Sequence, residues 1–217
     1  MGGRLAVVSD PYSIVRIPEI EPISVAGVNW KPIRRTLGID AFGINAYVGP
    51  SVGDHVVEEH TEETLGHQEA YVVIVGHATF TLDAEEVDAP QGSIVFIRDP
   101  KVRRSAVAVK PGTTVLAIGG VPGAHTPSAW EWYFEAEKYR ESGDHAAALE
   151  LLDDAQERFP AHAGVLYSLA CWQALAGDTE AAIASLNAAI AVKPDVADWA
   201  KGDTDLDSIR GLPGSPV

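Results

Sequence analysis

Glu69-Ala70-Tyr71-Val72-Val73-Ile74-Val75-Gly76 is the stretch that decides how the first half of the chain is read. A run dominated by Val, Ile and Tyr stands between a carboxylate and a glycine. Branched and aromatic side chains at this density favour an extended backbone, and the glycine ends the run. On a strand His67, Glu69, Tyr71 and Val73 share one face, so His67 turns inward if Glu69 does.

Similar short runs surround this one, at Ser13–Ile17, Phe42–Val48, His55–Glu59, Ala78–Leu82, Ser93–Ile97, Ala106–Val109 and Thr113–Ile118, with Ala70–Val75 among them. Gly and Pro separate them, and residues up to Pro127 hold 14 of the 20 Gly and 10 of the 14 Pro. Many short strands split by turn residues predict an all-β sandwich or barrel. Beyond Pro127 the chain turns Ala-, Leu- and Glu-rich, with apolar residues at helical spacing. Pro122, Gly123 and Pro127 mark the change. The expectation is therefore an α+β multidomain chain, with a β-barrel domain over 1–127 and an all-α region over 128–217.

The helical half repeats itself at an offset of 34 residues. Ala136 recurs as Ala170, Gly143-Asp144 as Gly177-Asp178, Ala148 as Ala182, Leu152 as Leu186, Ala155 as Ala189 and Pro160 as Pro194. Small residues let paired helices approach, Gly-Asp turns the chain, and Pro stops the second helix. This pattern resembles the tetratricopeptide repeat. Trp132 and Tyr139 fit it in the first copy, Leu166 and Leu169 in the second, and Gln173 stands where the first copy has Tyr139. Asp195–Lys201 and Asp205–Arg210 read as short capping helices, and Gly211–Val217 as a loose tail.

In the β half, the Glu69…Gly76 motif, with Gly53 and a His-bearing acidic strand before it and Gly92-Ser93-Ile94-Val95-Phe96-Ile97 after it, resembles the cupin family over roughly residues 40–120. The resemblance implies a double-stranded β-helix, or jelly-roll, barrel. Many members hold one divalent metal through two His and a Glu of a first motif and a His of a second. Here the first-motif His places hold Leu65 or Thr64 and Glu63 or Glu62. In the second motif Gly92 fits, but Arg98, Pro100 and Arg103 fill the Pro, Gly and His places. The usual metal site does not carry over.

A replacement set is His60, His67 and Glu69, with His60 on the preceding strand across the Thr61–Gly66 turn. Two imidazoles and a carboxylate on one face suit Fe, Mn, Ni or Zn. The alternative makes both His polar rim residues and pairs Glu69 with Arg103 or Arg104. Those two arginines alternate, so only one faces inward. Arg103 facing the mouth would hold a carboxylate or phosphate. Without a metal, the expected ligand-binding residues are His67, Glu69, Tyr71 and Arg103.

The 16 basic residues against 31 acidic give a net charge of −15, which argues against nucleic-acid binding. The β half carries −5 and the helical half −10. One cysteine, Cys171, excludes an internal disulfide and a Cys-rich zinc site, and its apolar helical setting reads as core. No run reads as a membrane span, signal peptide or myristoylation signal, so the expected location is the cytoplasm. Three functions stay open. One is a barrel binding a small molecule, anionic if Arg103 faces in, without the usual metal, its helices packing on the barrel or on a partner. The second is an enzyme: a metal-dependent oxygenase, isomerase or lyase, or a metal-free isomerase with His67 or Glu69 as base. The third is an adaptor acting through the repeats. A homodimer is expected by analogy with other barrels of this kind.

Overall fold

The computed structural model describes residues 14–25, 27–39 and 41–217. The chain divides into two compact units, Met1–His125 and Thr126–Val217.

The first unit is a nearly closed, mixed β-barrel. Its strands are β1 (Ile23–Val25), β2 (Val28–Lys31), β3 (Gly43–Gly49), β4 (His55–His60), β5 (Gln68–Val75), β6 (His77–Leu82), β7 (Glu85–Pro90), β8 (Ile94–Ile97), β9 (Arg104–Ala108) and β10 (Thr113–Gly120). They run in the order β7-β6-β9-β4-β2-β3-β10-β5-β8, with β1 beside β2. The β2–β4 pair is parallel; the others are antiparallel.

Alternation builds the interior. Tyr71 and Val73 of β5, Ala78 and Phe80 of β6, Ala106 and Ala108 of β9, and Val115 of β10 all point into one buried cluster. Strand β4 breaks the alternation. Its register shifts twice against β9, and Val56 and Val57 are both buried. An irregular register re-aims the side chains that follow it, and here Glu58 and His60 come to face the interior.

Gly76 explains the glycine that ends the deciding motif. It turns β5 into β6 at φ +82°, and a Cβ there would meet Thr113 Oγ1 at 2.5 Å and Thr113 Cα at 2.8 Å. Thr113 Oγ1 accepts from the His77 amide at 3.2 Å and donates to the Lys110 carbonyl at 2.7 Å. The turn is thus clipped to β10 at a point where only glycine fits.

Three elements were not foreseen. The β1–β2 hairpin and helix α1 (Ile33–Leu37) flank the outer side of β3, where Ile20, Ile33 and Ala46 form a separate apolar cluster. Lys31 is buried there, its ammonium donating to the Ile20 carbonyl at 2.6 Å. The acidic strand β7 closes a hairpin on β6 through Asp83, which adopts φ +54°. The strand expected over Ser13–Ile17 is not formed: Ser13 lies outside the described residues, Ile14–Arg16 are irregular, and Ile17–Glu19 is a single 3-10 turn. Pro18 supplies the reason, since it cannot donate to a sheet.

The second unit consists of α2 (Trp130–Ala136), continued by a 3-10 turn over Glu137–Tyr139, then α3 (His145–Arg158), α4 (Ala163–Ala176), α5 (Thr179–Val192) and α6 (Val196–Ala200), with a closing 3-10 segment over Thr204–Ile209. Its repeat is physical. Ala136, Ala148, Leu152 and Ala155 are fully buried, and so are their counterparts Ala170, Ala182, Leu186 and Ala189. Gly143 and Gly177 take φ +67° and +86°, and each next residue caps a helix. Asp144 accepts from the Ala147 amide and Asp178 from the Ala181 amide, both at 3.1 Å. In each copy a left-handed glycine precedes the aspartate that starts a helix, and Gly177 also caps the end of α4. The tail is held, contrary to expectation: the Gly211 amide donates to the Val217 carbonyl at 2.8 Å, and Asn187 Nδ2 to the Gly214 carbonyl at 3.0 Å.

Candidate functional site

A cavity of about 410 Å³ opens inside the barrel, bounded by residues of β3, β4, β5 and β10 and by the segment that follows β4. Asn45 and Tyr47 reach it from β3, Glu58 and His60 from β4, Glu69 and Tyr71 from β5, and Ala117 and Gly119 from β10. Glu62 and His67 close it from the β4–β5 connection.

Glu69 is the hub. The Tyr71 hydroxyl donates to Glu69 Oε2 at 2.5 Å, His60 Nε2 lies 3.6 Å from that oxygen, and Arg104 Nε lies 3.9 Å away. His60 Nδ1 is 2.8 Å from the Glu58 carbonyl, which fixes the ring, and Nε2 is 3.4 Å from the Tyr71 hydroxyl. Burial pushes the Glu69 carboxyl up, but His60 and Tyr71 against it, with Arg104 behind, bring it below the ordinary 4.5. His60 moves the other way: Glu69 beside it outweighs desolvation and lifts it above 6.5. Burial, then Glu69, keeps the Tyr71 phenol protonated. Burial, then the charges of Glu58, Glu69 and Glu62, does the same for Tyr47.

The structure brings His60, Glu69 and Tyr71 together and treats the other candidates differently. His67 precedes β5 and is not on its inward face; its Nδ1 lies 3.4 Å from Glu62 Oε2. Arg103 is 61% exposed and donates to Glu59 Oε1 at 2.9 Å, outside the cavity. Its neighbour Arg104 is the inward arginine, fully buried. Two acidic residues were missed as site residues. Glu58 turns inward because of the β4 irregularity, and Glu62 because the chain after β4 folds over the barrel mouth, where its amide donates to the Pro100 carbonyl at 2.9 Å. The sequence offers one signal for Glu62: it fills one of the places where the cupin motif has a histidine.

His60, Glu62 and Glu69 place one ligand atom each within 4.8 Å of one another. His60 Nε2 is 3.8 Å from Glu62 Oε1, and Glu62 Oε2 is a buried oxygen without a hydrogen-bond donor among the described residues. One imidazole and two carboxylates fit a divalent cation by chemistry and by reach. His67 is not in this group.

Residues 139–202 match the family model of the tetratricopeptide repeat. The chain joins a nearly closed β-barrel to tetratricopeptide-like helices. Among solved structures it is similar to a cupin protein from Bacteroides fragilis, at 19% identity over 51% of this chain and 91% of that one, with a TM-score of 0.38. It is similar to a Cupin 2 conserved barrel domain protein from Salinispora arenicola, at 14% identity over 53% and 93%, with a TM-score of 0.44. KdgF from Halomonas sp. matches at 17% identity over 50% and 92%, with a TM-score of 0.41. No curated protein matches the chain. Among the described residues no helix is long and apolar enough to cross a membrane.

Proposed function

We propose that the barrel binds a small polar molecule in this cavity, with Glu69, His60 and Tyr71 as the polar groups that meet it. One observation supports this reading above the rest: a cavity of about 410 Å³ gathers a hydrogen-bonded carboxylate, imidazole and phenol above the barrel's buried apolar cluster. Pockets of this size, apolar with a few convergent polar groups, are the usual form of a small-molecule site. His60 and Glu69 are a matched acid and base. His60 Nε2 can hold a proton for a bound molecule, Glu69 can receive one, and Tyr71 fixes the orientation of Glu69.

A second reading is favoured by the convergence of His60, Glu62 and Glu69. These three would hold a divalent cation, which when bound would polarise a carbonyl or hydroxyl oxygen of the small molecule. Tyr71 would still orient Glu69, and the Glu58 carbonyl would still orient His60.

The test is a thermal-shift screen of neutral, cationic and anionic small molecules on the full chain, with hits mapped by amide NMR. Binders should shift the amides of Glu69, Tyr71 and Ala117, and Ala117→Leu, which narrows the cavity, should weaken binding without unfolding the barrel. Hits that map elsewhere, or that bind Ala117→Leu equally well, would overturn the reading. Metal content of protein purified without chelator decides the second reading, since near one equivalent, lost in Glu62→Gln, is its required result.

A further inference from the structure

Buried hydrogen-bond acceptors are almost always paired. Three acceptor oxygens of this cavity's residues are buried and have no donor among the described residues: Asn45 Oδ1, Glu58 Oε2 and Glu62 Oε2. They come from three places, β3, β4 and the connection after β4, yet all belong to residues that line the same space.

The nearby donors make no hydrogen bond to these oxygens. The Tyr71 hydroxyl is spent on Glu69, and Arg103 on Glu59 outside the barrel. His67 Nδ1 stands 3.4 Å from Glu62 Oε2 but makes no hydrogen bond to it. Arg104 is fully buried, none of its guanidinium nitrogens has a hydrogen-bond partner among the described residues, and its charge sits against Glu69 at 3.9 Å. One guanidinium thus faces Glu69, while Glu58 and Glu62 have no arginine or lysine beside them in the cavity wall.

We infer that the small molecule bound here carries an ammonium group. The inference rests on the reading that the barrel binds a small molecule. An ammonium brings three N–H donors, no acceptor and one positive charge, which is what the wall lacks. A carboxylate or phosphate would meet Glu58 and Glu62 with like charge, and the expectation of an anionic ligand depended on Arg103, which faces out. A neutral polyol supplies donors but no charge. A divalent cation at His60, Glu62 and Glu69 uses neither Asn45 nor Glu58. Val57, Ala117 and the Tyr47 ring offer the apolar wall for the carbon skeleton.

The test is calorimetry and amide NMR on the full chain with matched probes: 1,4-diaminobutane, ethanolamine and glucosamine against 1,4-butanediol, ethylene glycol and glucose, with succinate and Mn(II) or Zn(II) alone as further arms. At least one amine should bind in the cavity at least about tenfold more tightly than its hydroxyl counterpart, the loss expected when a charge-assisted bond is removed. Glu58→Gln or Glu62→Gln should weaken it by a similar factor, and Glu59→Gln, on the outer surface, should not. Diols, glucose or succinate binding as tightly as the amines, metal binding without any amine binding, or amine affinity unchanged in both cavity variants would each overturn the inference. Cavity binding by a neutral probe would leave the underlying reading standing. Silence of the cavity to every probe at millimolar concentration would overturn both. The amine–hydroxyl comparison uses the unaltered protein, so it decides even if a variant fails to fold.

Discussion

Arg104→Met isolates the least ordinary residue of the barrel. The guanidinium is fully buried and its nearest carboxylate oxygen, Glu69 Oε2, is 3.9 Å away. Two unit charges at that separation interact by about 4 kcal/mol at an effective dielectric near 20. No hydrogen bond joins them, and Arg104 is the weakest of the groups drawing Glu69 down, so this figure is an upper end. Removing either partner leaves a buried charge alone, which costs about 3–5 kcal/mol when the pair is tight. Arg104→Met and Glu69→Gln should therefore each destabilise the barrel by about 2–4 kcal/mol, and the double variant should be no less stable than either single one. Native-state hydrogen exchange over residues 68–75 and 104–108 reads this in the strands that carry the two residues. Additivity of the two single effects to within about 0.5 kcal/mol would refute a coupled pair and leave Arg104 without a role in holding Glu69.

The His60–Glu69 pair makes stability depend on pH in a defined sense. His60 is raised above 6.5, so its contribution is complete below that value and is lost as pH rises through the raised one; Glu69 is lowered below 4.5, so its contribution is complete above 4.5 and is lost as pH falls through the lowered one. The stability difference between wild type and His60→Asn should peak between pH 4.5 and 6.5, and denaturation curves showing it grow above that window would contradict the pairing. Gly76→Ala should cost several kcal/mol, about 1 from the left-handed backbone and the rest from the 2.5 and 2.8 Å contacts with Thr113, visible as a lowered midpoint for the barrel; a loss under about 1 kcal/mol would mean that the turn yields easily. Leu152→Ala and Leu186→Ala, equivalent positions of the two repeats and both fully buried, should each cost about 2–5 kcal/mol in the helical unit, and a fluorescence melt unaffected by one of them would show that its repeat contributes little.

The motif carrying Glu69 and Tyr71 was legible because a regular strand converts spacing directly into facing. The Arg103–Arg104 pair was legible to the same extent: alternation allows only one inward arginine, and only the packed barrel says which. What escaped the sequence were places where the backbone leaves regular form. Val56 and Val57 are buried together because β4 shifts register, and no period of two would place them so. Glu62 reaches the cavity from a connection, and His67 stands one residue before β5 begins. Strand β7 escaped because its acidic residues mask the alternation of Val87 and Ala89. The helical repeat was fully legible, because the same glycine, aspartate and alanines solve the same packing problem twice.

The two Gly-Asp junctions also say how such a chain can lengthen. Asp144 to Gly177 runs from one helix-starting aspartate to one helix-ending glycine and spans a whole period. A tandem duplication of that segment would set Gly177 directly before a second Asp144, which reproduces a junction already present at Gly143-Asp144 and Gly177-Asp178. Genetic misalignment between the two copies would therefore splice without a scar, and the closing segment over Thr204–Ile209 would still seal the last repeat. The array is a module whose length is free to drift while its ends stay the same.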